Sequence, residues 1–86
     1  MFMDDDNYKP NARFASTTNK KFIDLVNKKC RMDIVEEQWP LDGRYVRAIF
    51  NDPFHFITTS YINKIETDGK LIIIHTRNST YIFERF

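Results

Sequence analysis

The chain has 86 residues and a formal net charge of +1, with 42% hydrophobic and 15% aromatic residues but only two Gly and three Pro. This length supports one domain with one modest core, and the apolar content excludes the disordered class. The near-neutral charge excludes a strongly acidic nucleic-acid mimic and a dedicated polybasic binder.

Met1 to Thr17 carries Asp4-Asp5-Asp6 and Pro10 among scattered polar residues. No period is sustained, so a flexible N-terminal arm is expected over 1–17, ahead of a single α+β domain over 18–86. The three Asp lack the turn glycines and later Glu of a calcium loop, so no metal is expected there. They stand where a signal peptide needs a basic and then an apolar region. No stretch is long enough to span a membrane, and a cytoplasmic protein is expected. Cys30 is the single cysteine, which permits no internal disulfide or multi-cysteine metal site and suits a reducing compartment.

Thr17-Thr18-Asn19 precedes a helix-like stretch, KKFIDLVNKKCRM, in which Phe22, Ile23, Val26 and Cys30 share one face at three- and four-residue spacing. Lys20, Asp24 and Lys28 recur on another side as candidates for local ion pairs. Asp33 to Gln38 fits a strand through Ile34 and Val35, or a continued helix through Glu36-Glu37-Gln38. The preferred reading is a hairpin of Asp33 to Trp39 with Arg44 to Phe50 across a turn at Leu41-Asp42-Gly43. Asn51-Asp52-Pro53 is the next turn. The strand from Phe54 to Thr59 should end in a bulge or bend near Thr59-Ser60, where alternation breaks.

The strongest local signal is Asp68-Gly69, a dipeptide suited to the positive φ angles of a two-residue hairpin loop. Asn78-Ser79 offers a second turn. Together they predict a C-terminal meander of Tyr61 to Thr67, Lys70 to Thr76 and Thr80 to Phe86. With two-residue loops at those dipeptides, Ile65 opposes Ile72, which opposes Arg85. One face then collects Tyr61, Ile65, Ile72, Ile74, Tyr81 and Phe83, the expected core side. The other carries Ile62, Leu71, Ile73, His75, Ile82 and Phe86 among charges, more apolar than a solvated face requires. The expected architecture is α+β: one amphipathic helix packed on a four- or five-stranded antiparallel sheet that ends in the meander.

No residue set suggests catalysis. His55 and His75 lack a metal-ligand spacing, two glycines cannot make a phosphate loop, and Ser60 and Ser79 have no evident base. No cofactor is expected. Basic residues are unevenly distributed: Lys9 to Arg31 holds seven against one acid, Asp24, whereas Asp33 to Asp42 holds four acids and no base. Lys20, Lys21, Lys28, Lys29 and Arg31, with Arg44 and Arg47, therefore make a candidate patch for nucleic acid or an acidic partner.

Thr59-Ser60, Ile62, Ile65, Ile74, Thr76, Asn78-Ser79 and Tyr81 form a pattern, TS-x-I…I-x-T-x-NS-x-Y. It resembles the C-terminal hairpin of small uncharacterised bacteriophage and mobile-element proteins, over the last third of the chain. The resemblance implies an accessory protein acting in a bacterial cytosol by inhibiting a host or defence protein complex, anti-CRISPR proteins being one example. The reading that follows is a non-enzymatic protein-binding module using Ile62, Leu71, Ile73, His75, Ile82 and Phe86. The alternative is a small nucleic-acid binder using the basic helix. A homodimer burying the second meander face is compatible with either, and no membrane is involved.

Overall fold

The structure, a computed structural model, describes residues 9–38, 42–51 and 54–86. It contains β1 (Ala12–Thr17), a short 3-10 helix (Lys20–Leu25), β2 (Lys29–Glu37), β3 (Gly43–Asn51), β4 (Phe54–Thr58), β5 (Ile62–Asp68), β6 (Leu71–Thr76) and β7 (Thr80–Arg85). The sheet order is β4-β3-β2-β1-β7-β6-β5, with every neighbouring pair antiparallel. Two consecutive meanders, β2-β3-β4 and β5-β6-β7, are thus joined edge to edge by β1.

This corrects the expected α+β fold: the amphipathic helix is absent, and the sheet has seven strands rather than four or five. Asn19 caps the 3-10 helix by accepting from the Lys21 N–H, and Val26 is already extended. Asn27 then takes a left-handed conformation at φ 77° and its N–H donates to the Phe14 carbonyl at 2.7 Å. Asn tolerates that conformation better than most residues. Beyond it, Cys30 and Met32 are buried while Lys29 and Arg31 are exposed. That alternation satisfies a strand as well as the wider spacing satisfied a helix. Pairing with β3 from Arg31↔Ile49 to Glu37↔Gly43 decides between them, and it also settles Asp33 to Glu37 as strand. Trp39, Pro40 and Leu41, from the expected hairpin end and turn, lie outside the described residues, as do Asp52 and Pro53.

Residues 12–17, expected in the arm, form the middle strand; residues 1–8 of that arm lie outside the described residues. Ala12 and Phe14 point inward, but a bulge between Phe14 and Ser16 breaks the register with β7. The bulge interrupts the period that would have marked the strand. Pairing of β1 with β2 covers only Ala12↔Cys30 and Arg13↔Lys29. Asn11 extends it with its side chain: Nδ2 donates to the Met32 carbonyl and Oδ1 accepts from the Met32 N–H, each at 2.9 Å.

One core serves both meanders. The Phe14 ring lies 5.8 Å from that of Phe50 on β3, edge-on, and 5.2 Å from that of Phe83 on β7. Cys30, Met32, Val46, Ala48 and Ile57 join from one meander, and Ile72, Ile74 and Tyr81 from the other. Leu25, with Phe22 and Val26 partly buried against the cluster, adds the 3-10 segment. Ile23, expected on the same apolar face, is 51% exposed.

The meander forms with both registers displaced by two residues. Asp68 pairs with Leu71, so the loop is Gly69-Lys70 with Gly69 at φ 60°, and Ile65 opposes Ile74. At the second turn the Thr76 N–H donates to the Ser79 carbonyl at 2.9 Å, and Thr76 Oγ1 accepts from the Ser79 N–H. Ile72 therefore opposes Phe83. A displacement by an even number leaves each side chain on its face. The irregularity between Ile62 and Lys64 does change a face: Ile62 opposes Thr76 and packs on the core.

Asn11→Ala should destabilise the protein by about 1–3 kcal/mol, since it leaves the backbone of Met32, itself nearly buried, without partners. Urea unfolding measures this. A change within about 0.5 kcal/mol, the range of ordinary surface substitutions, would show that the side-chain pairing contributes little.

Candidate binding surface

Five of the six residues expected on the second meander face remain there. Leu71, Ile73, His75 and Ile82 are half-buried on the outer face, and Phe86 is 62% exposed. Ile62 is the exception, turned inward by the irregularity in β5. Ile73 opposes Ile82 directly, and Glu66 opposes Ile73 from β5. No other described strand or helix lies over this face. Alternation puts these side chains outside, and the cross-strand rows bring them together.

Charged groups on the same face are tied across strands. His75 Nε2 lies 2.6 Å from Glu66 Oε2, Lys64 Nζ lies 3.5 Å from the other oxygen, and Thr80 Oγ1 is 3.4 Å from His75 Nδ1. The hydrogen bond to His75, followed by the Lys64 charge, holds the Glu66 carboxyl below its ordinary range. Hydroxyl, imidazole and carboxylate fall in the order of a hydrolytic triad, but they lie on the outer surface of a sheet and the Thr80 contact is long. Arg13 donates through Nε to Glu84 Oε1 at 3.1 Å and through Nη1 to Asn27 Oδ1 at 2.7 Å. That pair ties β1 to β7 and to the left-handed turn.

The basic residues are not gathered on one helix. Lys20 and Lys21 sit on the 3-10 helix, Lys28 and Lys29 at the entry to β2, and Arg31 lies 3.8 Å from Asp33. Arg47 opposes Asp33 and Arg44 opposes Glu36. The helix that would have gathered them does not form, so a basic-helix interface is corrected along with the fold.

Two further features surround the β2–β3 hairpin end. Tyr61 donates its O–H to Glu37 Oε1 at 2.6 Å, which holds the phenol above its ordinary value. Its ring covers Gly43, where a Cβ would stand only 3.1 Å from ring carbons. A groove beside it is lined by Glu36, Glu37, Gln38, Asp42 and Arg44, with Ile62 as its apolar wall. Among the described residues, no cluster of three or more His, Cys, Asp or Glu could hold a metal ion, and no helix is long and apolar enough to cross a membrane. Cys30 is fully buried and burial pushes its thiol up to about 12.

The surface that sequence reasoning passed over is β4. Phe54, His55, Phe56 and Thr58 are all exposed, Phe56 by 58%, and only Ile57 points into the core. The Phe54 and Phe56 rings stand 6.5 Å apart. The signal was their shared parity in a run without charge.

No family model matches the chain, and neither the curated proteins nor the solved structures contain a significant match to it.

Three outcomes are expected. Because the folded chain binds the Glu66 proton less readily than the unfolded chain, its stabilising contribution is complete above the unfolded value of about 4.3. It is lost as pH falls through the lowered folded value, so wild type and Glu66→Gln should converge in stability at low pH. An NMR titration of Glu66 should move toward the ordinary value in His75→Ala, and an unmoved midpoint would remove His75 as the cause. Cys30 should resist a thiol reagent at neutral pH in the folded protein and react on unfolding; rapid native labelling would contradict its burial.

Proposed function

We propose that this protein is a non-enzymatic protein-binding module whose docking surface is the outer face of β5, β6 and β7. The observation that carries the reading is the half-buried apolar group Leu71, Ile73 and Ile82, across which no described element packs. Uncovered apolar surface framed by charges has the composition of an interface centre with a polar rim. His75, with its Glu66 and Lys64 partners, supplies that rim, and Phe86 stands at the far end. The hairpin pattern TS-x-I…I-x-T-x-NS-x-Y supports a phage-type inhibitor that occupies a surface of a host or defence protein complex in the bacterial cytosol. A nucleic-acid reading gains no support, because acids oppose Arg44 and Arg47 along the β2–β3 ladder.

The experiment is affinity capture from nuclease-treated bacterial lysate with wild type, Ile73→Asp and Ile82→Asp, each checked for folding by circular dichroism. A stoichiometric protein retained by wild type and lost from both folded variants is expected. Retention that depends on nucleic acid, or that both folded variants preserve, would sink the proposal.

A further inference from the structure

The two edges of the sheet are protected differently. β5 carries Lys64, Glu66 and Asp68, whose charges discourage another strand from pairing with it. β4, FHFIT, carries none. Only β4 and β6 lack Lys, Arg, Asp and Glu altogether, and β6 lies inside the sheet.

The open backbone groups of β4 follow from its register. Thr59 donates its N–H to the Val46 carbonyl at 2.9 Å, which makes Val46 and Thr59 a hydrogen-bonded pair. In an antiparallel ladder such pairs alternate. Ala48↔Ile57 and Phe50↔His55 are then the bonded pairs, while Arg47↔Thr58 and Ile49↔Phe56 are the non-bonded ones. The N–H and C=O groups of Phe56 and Thr58 therefore point away from β3, toward the outer edge.

We propose that the chain associates with a second copy of itself by antiparallel pairing of β4 with β4 about a two-fold axis. Such an interface is isologous, so the strand must be complementary to its own reverse. A charge on or beside the axis would meet its own copy, and a strand without charges avoids that juxtaposition in every register. Phe56 and Thr58 supply edge-directed backbone groups to the ladder, and the Phe54 and Phe56 rings of both copies meet on the outer face. This surface is separate from the outer face of β5–β7, so a heterologous partner there and a second copy here are compatible.

The test is hydrogen exchange and sedimentation of the full chain over a concentration series from low micromolar to millimolar. The amides of Phe56 and Thr58 should gain protection as the average mass rises toward twice the monomer's, while those of His55 and Ile57, bonded to β3, should not change. Phe56→Lys, and Thr58→Pro as a second variant that removes an edge-directed N–H and no hydrogen bond to β3, should each hold the mass at the monomer value. Ile73→Asp should leave the association intact. A wild-type chain that stays monomeric throughout, or a mass increase without protection at Phe56 and Thr58, overturns the proposal. The first result would leave the β4 edge for a foreign strand, and the second would move the self-contact elsewhere.

Discussion

The structure depends on one strand and one ring. Among the described elements, β1 is the only one whose strand pairing joins both meanders, with β2 on one side and β7 on the other. Phe14 at its centre touches Phe50 and Phe83, one from each half. Without β1, each three-stranded meander would expose an apolar face and two unpaired edges. With it, a single curled sheet encloses one core in a chain whose length allows no second. The pairing with β2 is short, and the side chain of Asn11 acts there as a further ladder rung where backbone pairing stops.

That architecture explains where binding surface remains. Inward positions of all seven strands pack into or against the common core, so what remains lies on outer faces and at the edges. β5 closes its own edge with charge, while Tyr61 and Thr59 secure its connection to β4 through contacts with Gly43, Glu37 and Val46. On the outer face of the second meander, the cross-strand contacts of His75 with Glu66 and Thr80, and the Lys64–Glu66 pair within β5, hold polar groups in place around Ile73 and Ile82. The fold thus leaves two distinct apolar surfaces, a sheet face and a strand edge.

Much of the C-terminal half was legible because its signals are local. Gly69 marks a turn wherever it falls within a residue or two, and alternation in LIIIHT and TYIFER is unaffected by a two-residue displacement, so Ile72, Ile74, Tyr81 and Phe83 are core as their parity required. Ile62 escaped this logic because an irregularity shifts parity locally. The helix expected from Lys20 failed because Phe22, Val26 and Cys30 are also the inward positions of a 3-10 turn followed by a strand. The basic helix failed with it, although Lys29, Arg31 and Arg47 share the outer face of β2 and β3.

Sequence by itself determined the properties carried by single residues and their neighbours: the turn near Gly69, the two faces of β6 and β7, and the apolar character of Cys30. Tertiary structure decided the identity of β1, because its hydrogen bonds to β7 are made to residues more than sixty positions away, and it carried β2 back from Asp33 to Lys29 through pairing with β1 and β3. Local propensity does not encode those partners. It is their pairing that turned an apparent arm into the middle of the sheet and left β4, with its uncharged edge, on the outside.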